Sequence, residues 1–506
     1  MSLGQTKCVA LHGLDGAVVS VEVDIADGIP MYALLGLPDA ALNESRDRVR
    51  AALINSNESW PNRKVTVSLS PAWLPKSGSG FDLAIALAIL VAQQALPQDP
   101  LDGVVVLGEL ALDGRIRFVR GVLPALIAAY KSGITCAFVA DENFAEASLM
   151  TQMQILSFNH IAQVLIFLRT GELRELPILE NNESDLDSQL DFADVAGQGQ
   201  ARFAAEVAAS GGHHLLLIGP PGAGKTMIAS RLPTILPALT MEQALEVTAV
   251  HSIAGALSAR SPMSLVAPLV SPHHSATRVA IVGGGAHVIR PGACSLAHHG
   301  VLFIDEAPEC TVGVLDSLRQ PLESGTVTIA RSVGSLTFPA QFLLILAANP
   351  CPCGKFSGRG RSCICSSLQV RRYLGKLSGP LMDRIDMRVQ VDPVSRVEMA
   401  QEELGESSAT IRERVITARA IAQSRFEKEP WTLNSQIPSR ALRTIYKPER
   451  SAMNFLHDQL ERELLTARGL HKIIRLAWTL ADLAGHQQPD LADVQRAHEL
   501  REGSEV

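Results

Sequence analysis

The first part of the chain, about residues 1–175, carries hydrophobic patterns of both strands and helices. Val18–Val23 and Val65–Leu69 are runs of mostly β-branched residues bounded by turn-forming residues, which is typical of strands. Gly103–Gly108 encloses a short, continuous apolar run, as expected of a buried strand. Leu83–Leu96 is long and apolar enough to form a core helix. The pattern predicts a mixed domain of strands and helices.

Between about residues 194 and 393, apolar strands alternate with helical stretches. The predicted strands include Leu215–Ile218, Val301–Ile304 and Leu343–Ala347. This alternation is typical of an α/β domain with a mainly parallel sheet. Residues 394–506 are rich in Ala, Leu, Arg and Glu at helical spacing, which predicts a helical bundle.

An acidic segment separates the first part from the second. Residues 175–194 contain seven Asp or Glu residues and no Lys or Arg. Such a composition favours a solvated linker, which we place at residues 176–193. We therefore expect four regions, at 1–175, 176–193, 194–393 and 394–506.

Composition and charge limit the function classes. The 506 residues, 47% hydrophobic and 19% charged, fit a globular protein of three or four folding units. The net charge of −7 excludes an overall positive field, so any nucleic-acid contact needs a local basic patch. The longest apolar run, Leu83–Ala92, is too short to cross a bilayer, and the N-terminus lacks the pattern of a signal peptide. Eight cysteines do not indicate a secreted disulfide scaffold, so we expect a cytoplasmic protein without a membrane partner.

A glycine-rich loop follows the strand Leu215–Ile218 and opens a helix. It fits the pattern G-x-x-x-x-G-K-[ST] and consists of Gly219, Pro220, Pro221, Gly222, Ala223, Gly224, Lys225 and Thr226. Glycines in such a loop let backbone N–H groups approach phosphate oxygens. Lys225 would reach the β- and γ-phosphates, and the Thr226 hydroxyl would bind Mg²⁺. The strand before and the helix after argue against a chance turn, so we predict ATP and Mg²⁺ as cofactors.

Two further strands end in polar residues. Val301–Ile304 is followed by Asp305, which would lie beside Mg²⁺, and by Glu306, which would polarise the attacking water. The strand Leu343–Ala347 leads to Asn349, which could orient that water. The alternative for Asn349 is a capping role before Pro350. Together with the glycine-rich loop, these residues predict ATP hydrolysis.

The order of these motifs resembles an AAA+ ATPase, and within that superfamily the magnesium-chelatase-like ComM/YifB family. Similar segments occur along essentially the whole chain, at residues 36–38, 46–50, 82–86, 108–114, 191–198, 297–300 and 349–354. The resemblance implies an AAA+ P-loop core with a helical lid, preceded by an S5-type α+β domain similar to that of Lon protease. It also implies a homo-hexameric ATPase that acts on single-stranded or branched DNA, as a helicase or in branch migration during recombination or natural transformation.

The resemblance also assigns two arginines. Residues 378–386 are similar to the segment that holds an arginine finger, which makes Arg384 the expected group acting on a neighbouring subunit's ATP. Its alternative is an ion pair with Asp383 or Asp386 of the same chain. Residues 466–470 resemble the sensor-2 segment, so Arg468 is a second phosphate-sensing candidate and Arg475 its alternative.

The resemblance implies a substrate-facing insertion at about residues 251–300, which hold six of the 14 histidines. The adjacent pairs His273–His274 and His298–His299 raise the alternative of a metal site, but no Cys or carboxylate stands at ligand spacing.

The pattern of residues 327–338 predicts a hairpin with Arg331 near its tip. In related ring helicases the matching hairpin projects a basic residue into the central channel. A solvated arginine is the alternative.

Two C-x-C pairs, Cys351 with Cys353 and Cys363 with Cys365, follow Asn349. Four thiolates suit tetrahedral Zn²⁺, although the spacing is tighter than usual, and free thiols or a redox switch are the alternatives. Residues 351–378 carry six basic residues and no acid, which makes Lys355, Arg359 and Arg361 candidate DNA contacts, with a solvated loop as the alternative.

The N-terminal domain poses a separate question of protease activity. Residues 75–80 align roughly with the Lon nucleophile loop and place Ser79 at the nucleophile, but residues 120–124 have no lysine where Lon has its general base. A serine without a base is a weak nucleophile, so we expect a structural or binding module.

Three alternative functions remain for the whole chain. They are a magnesium-chelatase-like metal-insertion motor, a Lon-like protease or regulator, and a nucleotide-switched scaffold.

Overall fold

The computed structural model describes residues 2–173, 175, 177, 190–257, 262–285, 289–331, 334–356, 363–393 and 405–503. The chain divides into two compact units, one of residues 1–184 and 244–264, the other of residues 185–243 and 265–506. Arg359 and Arg361 lie outside the described residues, as does most of the predicted acidic linker.

The first unit is built on a seven-stranded mixed sheet. The strands of the unit are β1 (Ser2–His12), β2 (Asp15–Ala26), β3 (Met31–Leu35), β4 (Lys64–Ser70), β5 (Val104–Val106), β6 (Glu109–Leu110), β7 (Ile116–Arg117), β8 (Cys136–Ala140) and β9 (Gln154–Phe158). Its helices are α1 (Ala40–Asn43), α2 (Ser45–Asn55), α3 (Asp82–Ala92), α4 (Val122–Lys131), α5 (Phe144–Ala147) and α6 (Ile161–Thr170). The sheet order is β3-β4-β2-β1-β5-β8-β9, while β6 and β7 form a separate ladder.

The predicted elements of this unit are present in the structure. In β2 and β4, alternate residues face the core, and the two strands pair antiparallel from Ser20 opposite Ser70 to Ala26 opposite Lys64. Helix α3 is buried over its entire length, because its residues after Asp82 are all apolar and must be covered on every side. At the start of this helix, the buried Asp82 pairs with the partly exposed Arg48, with 2.6 Å from Arg48 Nε to Asp82 Oδ2.

Apart from most of the helix Met241–Ala254, the remaining elements belong to the second unit. They are α7 (Gly199–Gly211), β10 (Leu215–Ile218), α8 (Lys225–Ile235), α9 (Met241–Ala254), β11 (Leu269–Val270), α10 (Arg278–Val282), β12 (Gly283–Gly284), β13 (Arg290–Pro291), α11 (Ala293–Leu296), β14 (Val301–Ile304), α12 (Val312–Ser317), α13 (Arg319–Ser324), β15 (Thr326–Arg331), β16 (Gly334–Pro339), β17 (Leu343–Ala348), α14 (Ser367–Leu374), α15 (Gly379–Met382), β18 (Met387–Gln390), α16 (Ser408–Arg425), α17 (Ser439–Thr444), α18 (Arg450–Glu461), α19 (Ala467–Ala484) and α20 (Leu491–Glu502).

The core of this unit is a five-stranded sheet in the order β11-β14-β17-β10-β18. Every neighbouring pair in it is parallel, so all five strands end at the same edge. β14 and β17 are completely buried, as expected of central strands covered on both faces. The prediction of an α/β fold with a P-loop core and a helical lid after an α+β domain is confirmed.

Helix α9 belongs largely to the first unit, because residues from Ala244 onward pack there. Ala249 is part of its hydrophobic core. Ser252 Oγ accepts from the Gly121 N–H at 2.9 Å and donates to the buried Glu146 carboxylate at 2.5 Å. Helix α9, which begins shortly before the predicted insertion, is therefore hydrogen-bonded to other residues of the first unit.

Candidate functional site

The loop after β10 has the geometry of a phosphate cradle. Gly222 and Gly224 adopt φ values of 78° and 93°, and a Cβ at either would meet nothing within 4 Å, so the space above the loop is open. Gly219 is confined instead, since a Cβ there would lie 2.1 Å from the Val391 carbonyl oxygen. The loop runs into the N-terminus of α8, which begins at Lys225 and favours negative charge.

Lys225 is buried within this loop. Its ammonium donates to the carbonyl oxygens of Gly219 at 2.6 Å and Pro220 at 3.0 Å, and to Asn349 Oδ1 at 3.2 Å. Burial lowers the pKa of Lys225, while Asp305 and Glu306 act in the opposite direction. The structure therefore brings Lys225, which follows β10, into contact with Asn349, which follows β17.

Thr226 and Asp305 meet beside the loop. Thr226 Oγ1 donates to Asp305 Oδ2 at 2.7 Å, and the Glu306 N–H donates to Asp305 Oδ1 at 2.8 Å. A hydroxyl and a carboxylate are hard oxygen ligands that suit Mg²⁺. This donor set fits the cation that the sequence predicts here.

Glu306 has an unusual backbone and a specific side-chain partner. Its φ and ψ are 49° and 41°, in the left-handed region that few non-glycine residues adopt. Its Oε2 lies 3.1 Å from Nδ1 of His274. Sequence reasoning considered His274 only within a metal pair and missed this contact, because the two residues are 32 positions apart.

Arg384 and Arg468 lie together, away from the phosphate loop. Arg384 pairs with Glu323 at 2.7 Å rather than with Asp383 or Asp386. Arg468 is highly exposed and lies 3.4 Å from Asp383. Both line a cavity of about 770 Å³ that is also bordered by residues preceding β10, β14 and β17, at the amino edge of the sheet. Arg475, the alternative to Arg468, is largely buried and donates to the Ile437 carbonyl oxygen at 2.8 Å.

A buried carboxylate anchors this arginine cluster. Asp386, two residues after Arg384, accepts from the His214 N–H at 2.9 Å and pairs with Lys472 at 2.8 Å. Burial acts to raise the pKa of Asp386, but Lys472 and the neighbouring histidines outweigh it and hold that pKa well below the ordinary range. Lys472 stands four residues after Arg468 on α19, so one ion pair joins the two arginine-bearing segments.

The four cysteines converge. Their Sγ atoms all lie within 4.8 Å of one another, and each cysteine is free of disulfides. The Lys355 backbone N–H lowers the pKa of Cys353. The turn at residues 351–354, which carries Cys351 and Cys353, contacts the phosphate loop, since a Cβ at Gly354 would lie 2.6 Å from Cδ of Pro221.

The candidate DNA contacts are only partly described. β15 and β16 form the expected hairpin, and Arg331 stands opposite Gly334 at its end. Lys355 is exposed.

In the first unit, the hydroxyl of Ser79 donates to the carboxylate of Glu109. Lys76, the nearby lysine of the loop, is fully buried and donates to the carbonyl oxygens of Leu69, at 2.9 Å, and Pro71. Its ammonium is therefore engaged with backbone rather than with the Ser79 hydroxyl.

Among the described residues, no helix is both long and apolar enough to cross a membrane.

Comparison with known families gives consistent matches along the chain. The family model of magnesium chelatase subunit ChlI matches residues 191–399, a second model of that subunit matches 21–143, and the model of its C-terminal part matches 405–501. A weaker similarity, 25% identity over 34% of this chain and 24% of the other, is to the Lon protease of Clostridioides difficile.

Full-length relatives are more similar. An uncharacterized protein of Mycobacterium tuberculosis is 47% identical, covering 99% of both chains. YifB of Escherichia coli is 39% identical over 99% of this chain and 96% of its own. Competence protein ComM of Haemophilus influenzae is 39% identical over 97% of each chain. With this similarity over almost its whole length, the chain belongs to the ComM/YifB family of magnesium-chelatase-like AAA+ ATPases.

Proposed function

We propose that the protein is an ATP-driven, hexameric DNA motor that unwinds DNA or drives branch migration on single-stranded or branched DNA. The ATPase part follows from the family and its implied use of nucleotide and Mg²⁺. The DNA part is supported by the relative named competence protein ComM, by Arg331 at the end of the hairpin and by the basic composition of residues 351–378. Recombination or natural transformation is the process that such a motor would serve.

One observation carries the proposal of a ring. The residues of the phosphate site lie at the carboxyl edge of the parallel sheet, whereas Arg384 and Arg468 lie at its amino edge. β17 alone has six residues, so the edges are about 20 Å apart. An arginine side chain reaches about a third of that distance. This separation supports the proposal that both arginines act on the nucleotide of an adjacent subunit, so that each active site would contain residues from two copies of the chain.

Within each composite site, the chain's own groups have distinct roles. Lys225 and the loop N–H groups bind the phosphates, and Glu306 accepts the proton of the attacking water while Asn349 orients it. Mg²⁺ held by Thr226 and Asp305 would neutralise phosphate charge. Arg384 and Arg468 of the neighbouring copy stabilise the charge that develops in the transition state.

DNA binding by a chain of net charge −7 requires that basic groups be concentrated. In a ring, one Arg331 per subunit would give about six phosphate contacts in a channel, and Lys355, Arg359 and Arg361 would form a second basic tier. The first region, 1–175, then acts as a structural or binding module, because Ser79 is bonded to a carboxylate and lacks a lysine base.

The four cysteines are proposed to bind one Zn²⁺. Their mutual distances suit tetrahedral thiolate coordination, and the contact of Gly354 with Pro221 means that this metal would stiffen a turn against the phosphate loop. Zn²⁺ here would have a structural role, with no part in the reaction.

The decisive experiment measures ATP hydrolysis and strand displacement with no DNA, with single-stranded DNA and with a four-way junction, at two salt concentrations. A DNA motor is stimulated by DNA, strongly at low salt, and displaces strands. Hydrolysis that is indifferent to DNA, without strand displacement, would favour a metal-insertion motor or a nucleotide-switched scaffold instead.

A further inference from the structure

His274 and Glu306 come from separate segments that share one hydrophobic core. Ile281 of α10, downstream of His274, is 2% exposed, and Ile304 and Ala307 on either side of Glu306 are 1% and 0% exposed. Ala276 packs against the same cluster. The backbones that carry the two side chains are therefore fixed relative to each other, and their contact is not an accident of two mobile loops.

The turn that carries His274 is ordered by its neighbours. His273 Nδ1 lies 2.7 Å from Ser275 Oγ, and the Ala276 N–H donates to the His273 carbonyl oxygen at 2.9 Å. The rings of His273 and His274 stack with centroids 4.0 Å apart. Thr277 then caps α10 by accepting from the Ala280 N–H. These contacts order the backbone from which the His274 side chain extends to Glu306.

Glu306 needs such a partner. Its side chain is 47% exposed, so packing alone does not fix its two outer torsions. A carboxylate that must accept a proton from one water has to hold one oxygen in place. An N–H of His274 at 3.1 Å holds Oε2 and leaves Oε1 free for the water. Both the Nδ1-protonated neutral ring and the imidazolium can donate this hydrogen bond.

We propose that His274 is a positioning residue for the catalytic carboxylate of Glu306. This inference rests on the proposed ATPase mechanism and extends it to His274 of the histidine-rich segment. Because both side chains are partly exposed, their contact contributes little to folding stability. Its effect is on the orientation of the base, and therefore on turnover rather than on nucleotide binding.

The test compares His274→Ala, His274→Asn and the exposed control His12→Ala. We expect His274→Ala to lower kcat on the order of 10-fold, as for other residues that orient a catalytic group. KM, the affinity for a fluorescent ATP analogue and the unfolding temperature should stay as in the unchanged protein. Asn places an amide N–H close to the position of Nδ1, so His274→Asn should recover most of the rate, and His12→Ala should lose none.

A double variant separates this role from a general structural one. In a Glu306→Gln background, His274→Ala should cause no further loss, because the group that it positions is already absent. Unchanged turnover in His274→Ala, or a full additional loss in the double variant, would overturn the inference while leaving the ATPase proposal intact. Normal turnover in Glu306→Gln alone would instead remove the proposed mechanism, and this inference with it.

Discussion

Lys472 Nζ lies 2.8 Å from Asp386 Oδ1, and this buried pair joins helix α19 to the segment that carries Arg384. The same lysine donates to the Ile385 carbonyl oxygen at 3.1 Å. Since Arg468 is on α19, the pair sets the distance between the two arginines proposed to face a neighbouring nucleotide. A shift of the lid would therefore move both arginines together.

Loss of one partner should destabilise the protein. Lys472→Met leaves Asp386 buried without its main partner, which should cost about 3–5 kcal/mol of unfolding free energy, measured by urea unfolding. The matched control is Arg462→Met, which removes an exposed pair with Asp458 and should cost less than about 1 kcal/mol. Equal losses in both variants would contradict the anchoring role.

The Asp386 carboxylate also predicts acid sensitivity. Its folded pKa lies below the unfolded value of about 3.9, so its contribution is fully present above that pH and is lost as pH falls towards the folded pKa. The stability difference between the unchanged protein and Asp386→Asn should therefore shrink below about pH 4. A difference that stays constant from pH 6 to pH 3 would be inconsistent with a depressed pKa.

Glu306→Gln should keep ATP binding but lower turnover by about 10²-fold or more, because the amide cannot accept the proton of the water. Lys225→Ala should lose activity together with nucleotide binding. Glu309→Gln, which changes an acid three residues away, is the control and should hydrolyse ATP normally. Near-normal turnover in Glu306→Gln would exclude it as the base.

The composite site predicts complementation. Arg384→Ala and Arg468→Ala should each bind ATP and hydrolyse it poorly, since their own phosphate loops are intact. Mixing either with Lys225→Ala should restore hydrolysis at interfaces that combine the two intact halves. If mixed rings form and activity does not return, the arginines do not act between subunits.

Removal of one basic group should separate hydrolysis from DNA binding. Arg331→Ala should keep basal ATP hydrolysis while losing DNA stimulation, and its DNA affinity should depend less steeply on salt, because up to six phosphate contacts per ring are lost. Binding measured by fluorescence anisotropy at several salt concentrations checks this. An unchanged salt slope would move the DNA to the loop with Lys355, Arg359 and Arg361, or to the first region.

Metal analysis should find one zinc per chain in the purified protein. A variant with Cys353→Ser and Cys363→Ser should lose it, whereas Cys310→Ser, at a buried cysteine outside the cluster, should retain it. Absence of zinc together with four titratable thiols would favour a redox role for these cysteines.

The sequence by itself determined the elements whose signals are local. The burial pattern of β14 and β17 follows directly from their apolar runs, and the glycine-rich loop requires only a strand, flexible backbone and a helix N-terminus in succession. Because parallel strands end at a common edge, the approach of Asn349 to Lys225 was also predictable from the order of the motifs.

Only the tertiary structure decided which distant residues meet. Arg384 pairs with Glu323, 61 positions earlier, instead of with the acids beside it in sequence, and His274 contacts Glu306 although no local pattern links them. Likewise, α9 joins the first unit through Ser252, which is 106 positions from Glu146. Such contacts depend on how helices and loops pack around a completed sheet, and chain-local hydrophobic patterns contain no information about that packing.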